Sequence, residues 1–155
     1  MSNSKPAVIE SSDFEVTIDT ENKIATIALF GVINLKHLVD SFSELVRHPD
    51  FEKNICCCYD CRDALIEVNL TETEIFYHFS AGMRSKRGTE YNIAFISGDE
   101  MTEMLVQFYR LFLVRSEIHI ESFKTSEEAI QWLLESRLPI ANGTIEPFPD
   151  QDAQR

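Results

Sequence analysis

All four cysteines of the chain lie in one short stretch, CCCYDC, and Cys58 and Cys61 have C-x-x-C spacing. This spacing is typical of thiol oxidoreductases, in which a helix N-terminus lowers the pKa of the first thiol. Here the pair lies in a β-type run with no glycine or proline between the two, and the next predicted helix begins only near Thr71. The sequence therefore favours buried structural thiols, with thiol–disulfide chemistry as the alternative.

The same stretch does not predict a metal site. Structural zinc takes four ligands in a tetrahedron, but Cys56, Cys57 and Cys58 are consecutive, so on a strand their side chains alternate between the two faces. The four histidines are scattered along the chain, and no spacing supports a Ser-His-Asp, Cys-His or paired-carboxylate arrangement. We therefore expect no metal, no cofactor and no catalytic residue, and we do not expect an enzyme.

Charged residues lie at the end of the cysteine stretch, which is the predicted carboxyl end of a central strand. In open α/β sheets, ligands and partners bind beyond this end of the strands. Arg62 is the best anchor for an anion, which an arginine binds in bidentate fashion, although it can also pair with a flanking carboxylate. With the loops that follow the neighbouring strands, the predicted binding surface comprises Asp60, Arg62, Asp63, Gly31, Asn34, Ser97 and Gly98.

A basic cluster follows the second predicted helix, in the sequence MRSKRG, and consists of Arg84, Lys86 and Arg87. Cations are favourable at a helix C-terminus because they complement the helix dipole. We interpret the cluster in this way, and contact with an anionic headgroup or an acidic partner is the alternative.

Apolar periodicity predicts the elements that position these residues, in the order ββαβαβαβα. FEVTID alternates and IATIALF is apolar on both faces, and the short connection between them predicts an antiparallel hairpin. Each later strand alternates with an amphipathic helix, which implies parallel pairing through right-handed crossovers. The prediction is an α/β fold with a mixed sheet of about five strands and four helices.

Caps and composition set the predicted boundaries. Asn34 is a suitable cap for the first helix, and Thr71 has capping-box spacing with Glu74 at the second. Residues 1–12 lack periodicity and are predicted to be an N-terminal tail. Residues 13–137 form the predicted domain, and residues 138–155, which contain prolines, a C-terminal tail.

The charge balance restricts the partners that we expect. The 155 residues carry a formal net charge of −12, with 26 acidic and 14 basic side chains, which disfavours nucleic-acid binding. No apolar run reaches the roughly 18–20 residues that span a bilayer, and the N-terminus lacks the apolar segment of a secretory signal. We therefore predict a cytoplasmic protein with reduced thiols.

Three stretches, together with the element order, resemble the STAS domain of bacterial anti-sigma-factor antagonists, in particular stand-alone bacterial proteins of unknown function related to them. These stretches are Gly31 with the helix and RHPDFEKN after it, YDCRDA, and IESFKTSEEAIQWLLE, and the resemblance covers roughly residues 14 to 136. It implies a non-enzymatic regulatory or interaction module that binds a protein partner, or a small anionic or lipid-like ligand, at the strand-end surface. A structural homodimer is a further alternative.

The family's regulatory phosphorylation motif is altered in this chain. The antagonists are switched by phosphorylation of a serine in Asp-x-Ser-Gly at the start of the second helix, where this chain has Asn69-Leu70-Thr71-Glu72. The resemblance makes Thr71 the candidate phosphoacceptor, but Glu72 and Glu74 would repel a phosphate there. We interpret Thr71 primarily as a helix N-cap.

Overall fold

A computed structural model describes residues 13–142, with side chains described as far as residue 136. The predicted tail 1–12 and residues 143–155 lie outside this range. Five strands are present: β1 (Phe14–Asp19), β2 (Ile24–Ile33), β3 (Cys56–Ile66), β4 (Asn92–Ile96) and β5 (His119–Phe123). They form one sheet in the order β1-β2-β3-β4-β5, with β1 antiparallel to β2 and every other pair parallel. The predicted mixed sheet is confirmed.

Five helices occur in the described range: α1 (Leu35–Arg47), α2 (Leu70–Gly82), α3 (Arg84–Arg87), α4 (Glu100–Phe112) and α5 (Ser126–Asn142). The prediction of four missed α3, a single turn at the basic cluster, because four residues are too few to show helical periodicity. α5 continues to Asn142, beyond the predicted domain boundary at residue 137.

Apolar side chains fill both faces of the sheet, in two clusters. On one face, Ile27 and Leu29 of β2 and Cys57, Tyr59 and Cys61 of β3 pack beneath α1, α2 and α4. We call this the three-helix face. On the opposite face, Cys56 and Cys58 pack with Ala94 of β4 against Ala129 and Leu133 of α5. We call this the α5 face.

β3 is longer than predicted, and this changes the position of the charged residues. The strand continues to Ile66 because it pairs with β2 as far as Ile33, whereas its pairing with β4 ends at Asp60 and Ile96. The ribbon of β2 and β3 therefore projects past the end of β4. The expectation that Asp60, Arg62 and Asp63 end the strand is wrong, since they lie within β3 where β4 stops.

α2 begins at a different cap from the one predicted. Asn69 is the N-cap, because its side chain accepts the N–H of Glu72 at 2.8 Å and Glu72 Oε1 accepts the N–H of Asn69 at 3.1 Å. Thr71 lies inside the first turn and is exposed. The capping box is thus formed by Asn69 and Glu72, and the interpretation of Thr71 as the cap is wrong.

Candidate functional site

A β-bulge shapes the strand-end surface. Ala28 pairs with Asp60 and Phe30 pairs with Asp63, so β3 has one more residue than β2 between these two pairs. The Asp60 carboxylate stabilises the bulge by accepting the backbone N–H of Arg62 at 3.1 Å. It also accepts the Arg62 guanidinium in bidentate fashion, at 3.0 Å from Nε and 2.8 Å from Nη2. Arg62 is thereby held in place at the surface.

The ion pair shifts the titration of both partners. Hydrogen bonds from the Arg62 side chain hold the pKa of Asp60 below its usual value, against a smaller opposing effect of burial. The same bonds raise the pKa of Arg62. The Arg62 side chain is 44% exposed and that of Asp60 25% exposed, so the guanidinium still has a face open to a carboxylate or another anion. In the sequence, Arg62 could pair with either flanking carboxylate, Asp60 or Asp63. The structure shows the ion pair with Asp60.

Of the other residues predicted for the strand-end surface, Gly98 and Gly31 lie on it, whereas Asn34 and Ser97 form local hydrogen bonds. Gly98 approaches β3 closely: a Cβ there would lie 3.4 Å from the Arg62 Cα. Gly31 is exposed, has a φ of 77° and pairs with Ala64 on the projecting ribbon. Asn34 caps α1 by accepting the N–H of His37 at 3.1 Å. Ser97 is buried, and its hydroxyl donates to the Asp99 carbonyl at 2.8 Å.

Apolar side chains on the projecting ribbon are the component that the sequence analysis missed. Phe30, Val32 and Leu65 are 36%, 52% and 52% exposed. Val32 pairs with Leu65, and Phe30 pairs with Asp63, so the apolar residues lie beside the charged ones. Their exposure follows from the length of β3, which the alternation of Ala64, Ile66 and Val68 after the cysteine stretch indicates in retrospect.

The cysteines show none of the features of a reactive thiol pair. All four are buried. Burial raises the pKa of both Cys58 and Cys61 to about 12, which leaves their thiols protonated at neutral pH. Cys58 packs on the α5 face and Cys61 on the three-helix face, so the two sulfurs of the C-x-x-C spacing point to opposite sides of the sheet.

Neither a metal cluster nor a membrane-spanning helix is found in the described range. No group of three or more His, Cys, Asp or Glu side chains within residues 13–136 is arranged to hold a metal ion. None of the helices described is both long enough and apolar enough to cross a bilayer.

A second candidate site is a cavity of about 80 Å³ beneath the three-helix face. Most of its wall is apolar, with Tyr59, Ile93, Phe95 and Val106 among the lining residues, but Arg87 also lines it. The Arg87 side chain is only 1% exposed. Arg87 lies in the last turn of α3 with Arg84 and Lys86, as expected for a basic cluster at a helix C-terminus, but its side chain turns inward and is buried.

Comparison with solved structures identifies this arrangement of sheet, helices and crossovers. An uncharacterized DUF3478-family protein from Shewanella loihica PV-4, described as having a SpoIIAA-like fold, superposes with a TM-score of 0.50 at 12% identity, covering 77% of this chain and 91% of that one. The chain has a SpoIIAA-like fold. The anti-sigma-factor antagonist SpoIIAA in its unphosphorylated form superposes with a TM-score of 0.43 at 13% identity, over 76% of this chain and 94% of that one.

The fold predicted from the STAS resemblance is thus confirmed. No family model matches the sequence, and no curated protein matches it.

Proposed function

We propose that the protein is a non-enzymatic interaction module that binds a protein partner through the projecting β2–β3 ribbon. The observation that supports this most directly is the exposed apolar group of Phe30, Val32 and Leu65 beside the ordered guanidinium of Arg62. Apolar side chains grouped on a surface and rimmed by charge are typical of protein contact sites. The partner would present an apolar surface with a carboxylate positioned to meet Arg62.

The bulge and the ion pair favour such a contact because they reduce its entropic cost. A guanidinium already held by two hydrogen bonds loses little rotamer freedom when a partner binds. The close approach of Gly98 to the Arg62 backbone adds a second support from the β4–α4 connection. These features preorganise the surface on β3 and leave the exposed side of the guanidinium for recognition.

The test compares Arg62→Ala with Arg110→Ala. Arg110 is a matched control because it is 37% exposed and forms a comparable ion pair with Glu121 at 2.9 Å. Proteins captured by the tagged wild type from its own cell extract are quantified against both variants. We expect Arg62→Ala to weaken a specific partner's binding by about 1–3 kcal/mol, the value of a charge-assisted hydrogen bond. Its free energy of unfolding should fall by only about 0–1 kcal/mol.

Two results would contradict this proposal. If Arg62→Ala unfolds the protein while the surviving folded fraction retains its partner, Arg62 is a structural residue of the bulge. If sedimentation shows that the wild type is a dimer and that Val32→Glu with Leu65→Glu makes it monomeric, a second copy of the chain covers the ribbon.

The alternative of a thiol oxidoreductase would need an accessible thiolate, which the buried Cys58 and Cys61 do not offer.

A further inference from the structure

Arg87 is a buried cation without a counter-ion in the described part of the chain. Its Nη2 donates to the Ile55 carbonyl at 2.6 Å, and the guanidinium carbon lies 3.6 Å from the centroid of the Tyr91 ring. Its Nη1 is buried and has no hydrogen-bond partner by distance and angle, although the guanidinium also interacts with the buried Cys57 thiol, whose pKa it lowers against the larger effect of burial. No described carboxylate lies within ion-pair distance, although an arginine keeps its charge inside proteins and a buried charge is costly unless it is paired.

The backbone around Arg87 holds this costly group firmly in place. The Arg87 carbonyl accepts the N–H of Asn54, and the Asn54 side chain accepts the N–H groups of Thr89 and Glu90 at 2.9 and 3.0 Å. Gly88 has a φ of 107°, and a Cβ at that position would clash with Asn54. The loop thus fixes the backbone of Arg87, while the Ile55 carbonyl and the Tyr91 ring hold its guanidinium inside the protein.

The cavity that Arg87 lines provides space beside it. Its volume of about 80 Å³ is on the order of six water-sized spheres. Of the described side chains in its wall, Arg87 alone is charged, and apolar and aromatic residues of β3, β4 and α4 form most of the remainder. Thr102 of α4 also lines the cavity, and its buried hydroxyl likewise lacks a partner. Two residues with an unpartnered buried polar atom therefore line the same largely apolar cavity.

We propose that this cavity binds a small monocarboxylate, with the carboxylate on Arg87 and a short alkyl chain against Tyr59, Ile93 and Phe95. The negative charge would complete the hydrogen bonds of Nη1 and neutralise the guanidinium. The alkyl chain would replace water along apolar walls that cannot hydrogen-bond to it. A cavity of about 150 Å³ holds benzene, so about 80 Å³ suits a monocarboxylate of roughly three or four carbons. This site is separate from the strand-end surface and does not depend on the proposed partner.

Sodium propionate and sodium butyrate are the probes for this site. Thermal unfolding of the full chain is followed at constant ionic strength, with sodium chloride, 1-butanol and butylammonium chloride as controls. At a concentration tenfold above its Kd, a bound carboxylate should raise the Tm by roughly 3–6 °C. The alcohol and the ammonium ion, which have the same number of carbons as butyrate but lack the negative charge, should not. An equal effect of butanol would overturn the role of Arg87.

Variants and a structural readout locate the binding. Arg87→Met should weaken butyrate binding at least tenfold, and Val106→Phe should abolish it by filling the cavity while Arg87 remains. Val114→Phe, at a position 77% exposed, is the matched control and should bind as the wild type does. If Arg87→Met or Val106→Phe fails to fold, NMR of the wild type locates the ligand instead. Butyrate bound in the cavity should give nuclear Overhauser effects to the Tyr91 and Phe95 rings. Contacts only to surface residues, or full binding by Val106→Phe, would refute the site.

Discussion

The two arginines Arg62 and Arg87 differ in how far their local sequence determines their environment. Arg62 lies two residues after Asp60, and their pairing at 2.8 Å across the bulge is a local interaction that the DCRD sequence indicates. The burial of Arg87 arises instead from contacts with Ile55 and Asn54, which are more than thirty residues away. The local sequence therefore indicates the ion pair of Arg62, but it gives no sign that Arg87 is buried.

Substitution of the cysteines is a test at the level of single residues. Cys58→Ser and Cys61→Ser should each lower the free energy of unfolding by about 1–3 kcal/mol, because a hydroxyl replaces a buried sulfur without a guaranteed partner. In the native wild type, iodoacetamide at pH 7.5 should react far more slowly than in urea, since burial raises the pKa of Cys58 and Cys61 to about 12. Mass spectrometry after timed alkylation measures this. Rapid labelling of native Cys61 would show an accessible thiolate and revive the oxidoreductase alternative.

Among the secondary-structure elements, periodicity predicted every strand and the four long helices but not the extent of β3. The residues after Cys61 alternate only weakly, and they remain in a strand because β2 continues beside them to Ile33. That pairing is a tertiary interaction, so the weak alternation of Ala64, Ile66 and Val68 could indicate a longer strand but not that the ribbon projects past β4. The predicted strand end instead falls where β4 stops, and β3 continues past its charged residues.

The cap of α2 is a test of element boundaries. Asn69→Ala should lower the free energy of unfolding by about 0.5–2 kcal/mol, because the Glu72 N–H loses its acceptor. Thr71→Ala should change it by less than about 0.5 kcal/mol, as expected for an exposed residue within the first turn. Urea unfolding of both variants gives the comparison. A larger loss for Thr71→Ala would restore the capping box predicted from the sequence.

Gly88, in the loop after α3, and Gly82, at the end of α2, allow a paired test of the loop. Gly88→Ala should destabilise the fold by more than about 1 kcal/mol, since its φ of 107° disfavours side chains and the added carbon would meet Asn54. Gly82, at the end of α2, has no neighbour within 4 Å of an added Cβ, so Gly82→Ala should be neutral or stabilising by up to about 1 kcal/mol. Both are measured by urea unfolding. Equal stabilities would mean that the Asn54–Gly88 contact does not constrain the loop that holds Arg87.

For the whole molecule, two electrostatic effects act in opposite directions as the pH falls. The formal net charge of −12 at neutral pH causes self-repulsion, which weakens as the pH approaches the isoelectric point near 4.7. Against this, hydrogen bonds hold the pKa of Asp19, Asp60 and Asp99 below the usual 3.8. Their main donors are the Asn22 backbone, the Arg62 side chain and the Thr102 backbone. A carboxyl whose pKa is lowered by folding stabilises the native state above its unfolded pKa and loses that contribution as the pH falls through the folded value.

The balance predicts a stability optimum on the acidic side of neutrality. The Tm should rise as the pH is lowered from 8 towards about 5, because repulsion weakens. At pH values below 3.8 the Tm should fall again, because the three carboxyls begin to protonate. Added salt should raise the Tm at pH 8 by screening the net charge. Asp60→Asn should cost about 1 kcal/mol at pH 7 and less at pH 3, because the contribution of a carboxyl with a lowered pKa declines once the pH is below the unfolded value of 3.8. Asp63→Asn is the control, because the exposed Asp63 makes no ion pair within the described residues. A deficit of Asp60→Asn that persists unchanged at pH 3 would show that the bulge depends on the shape of Asp60, and not on its charge.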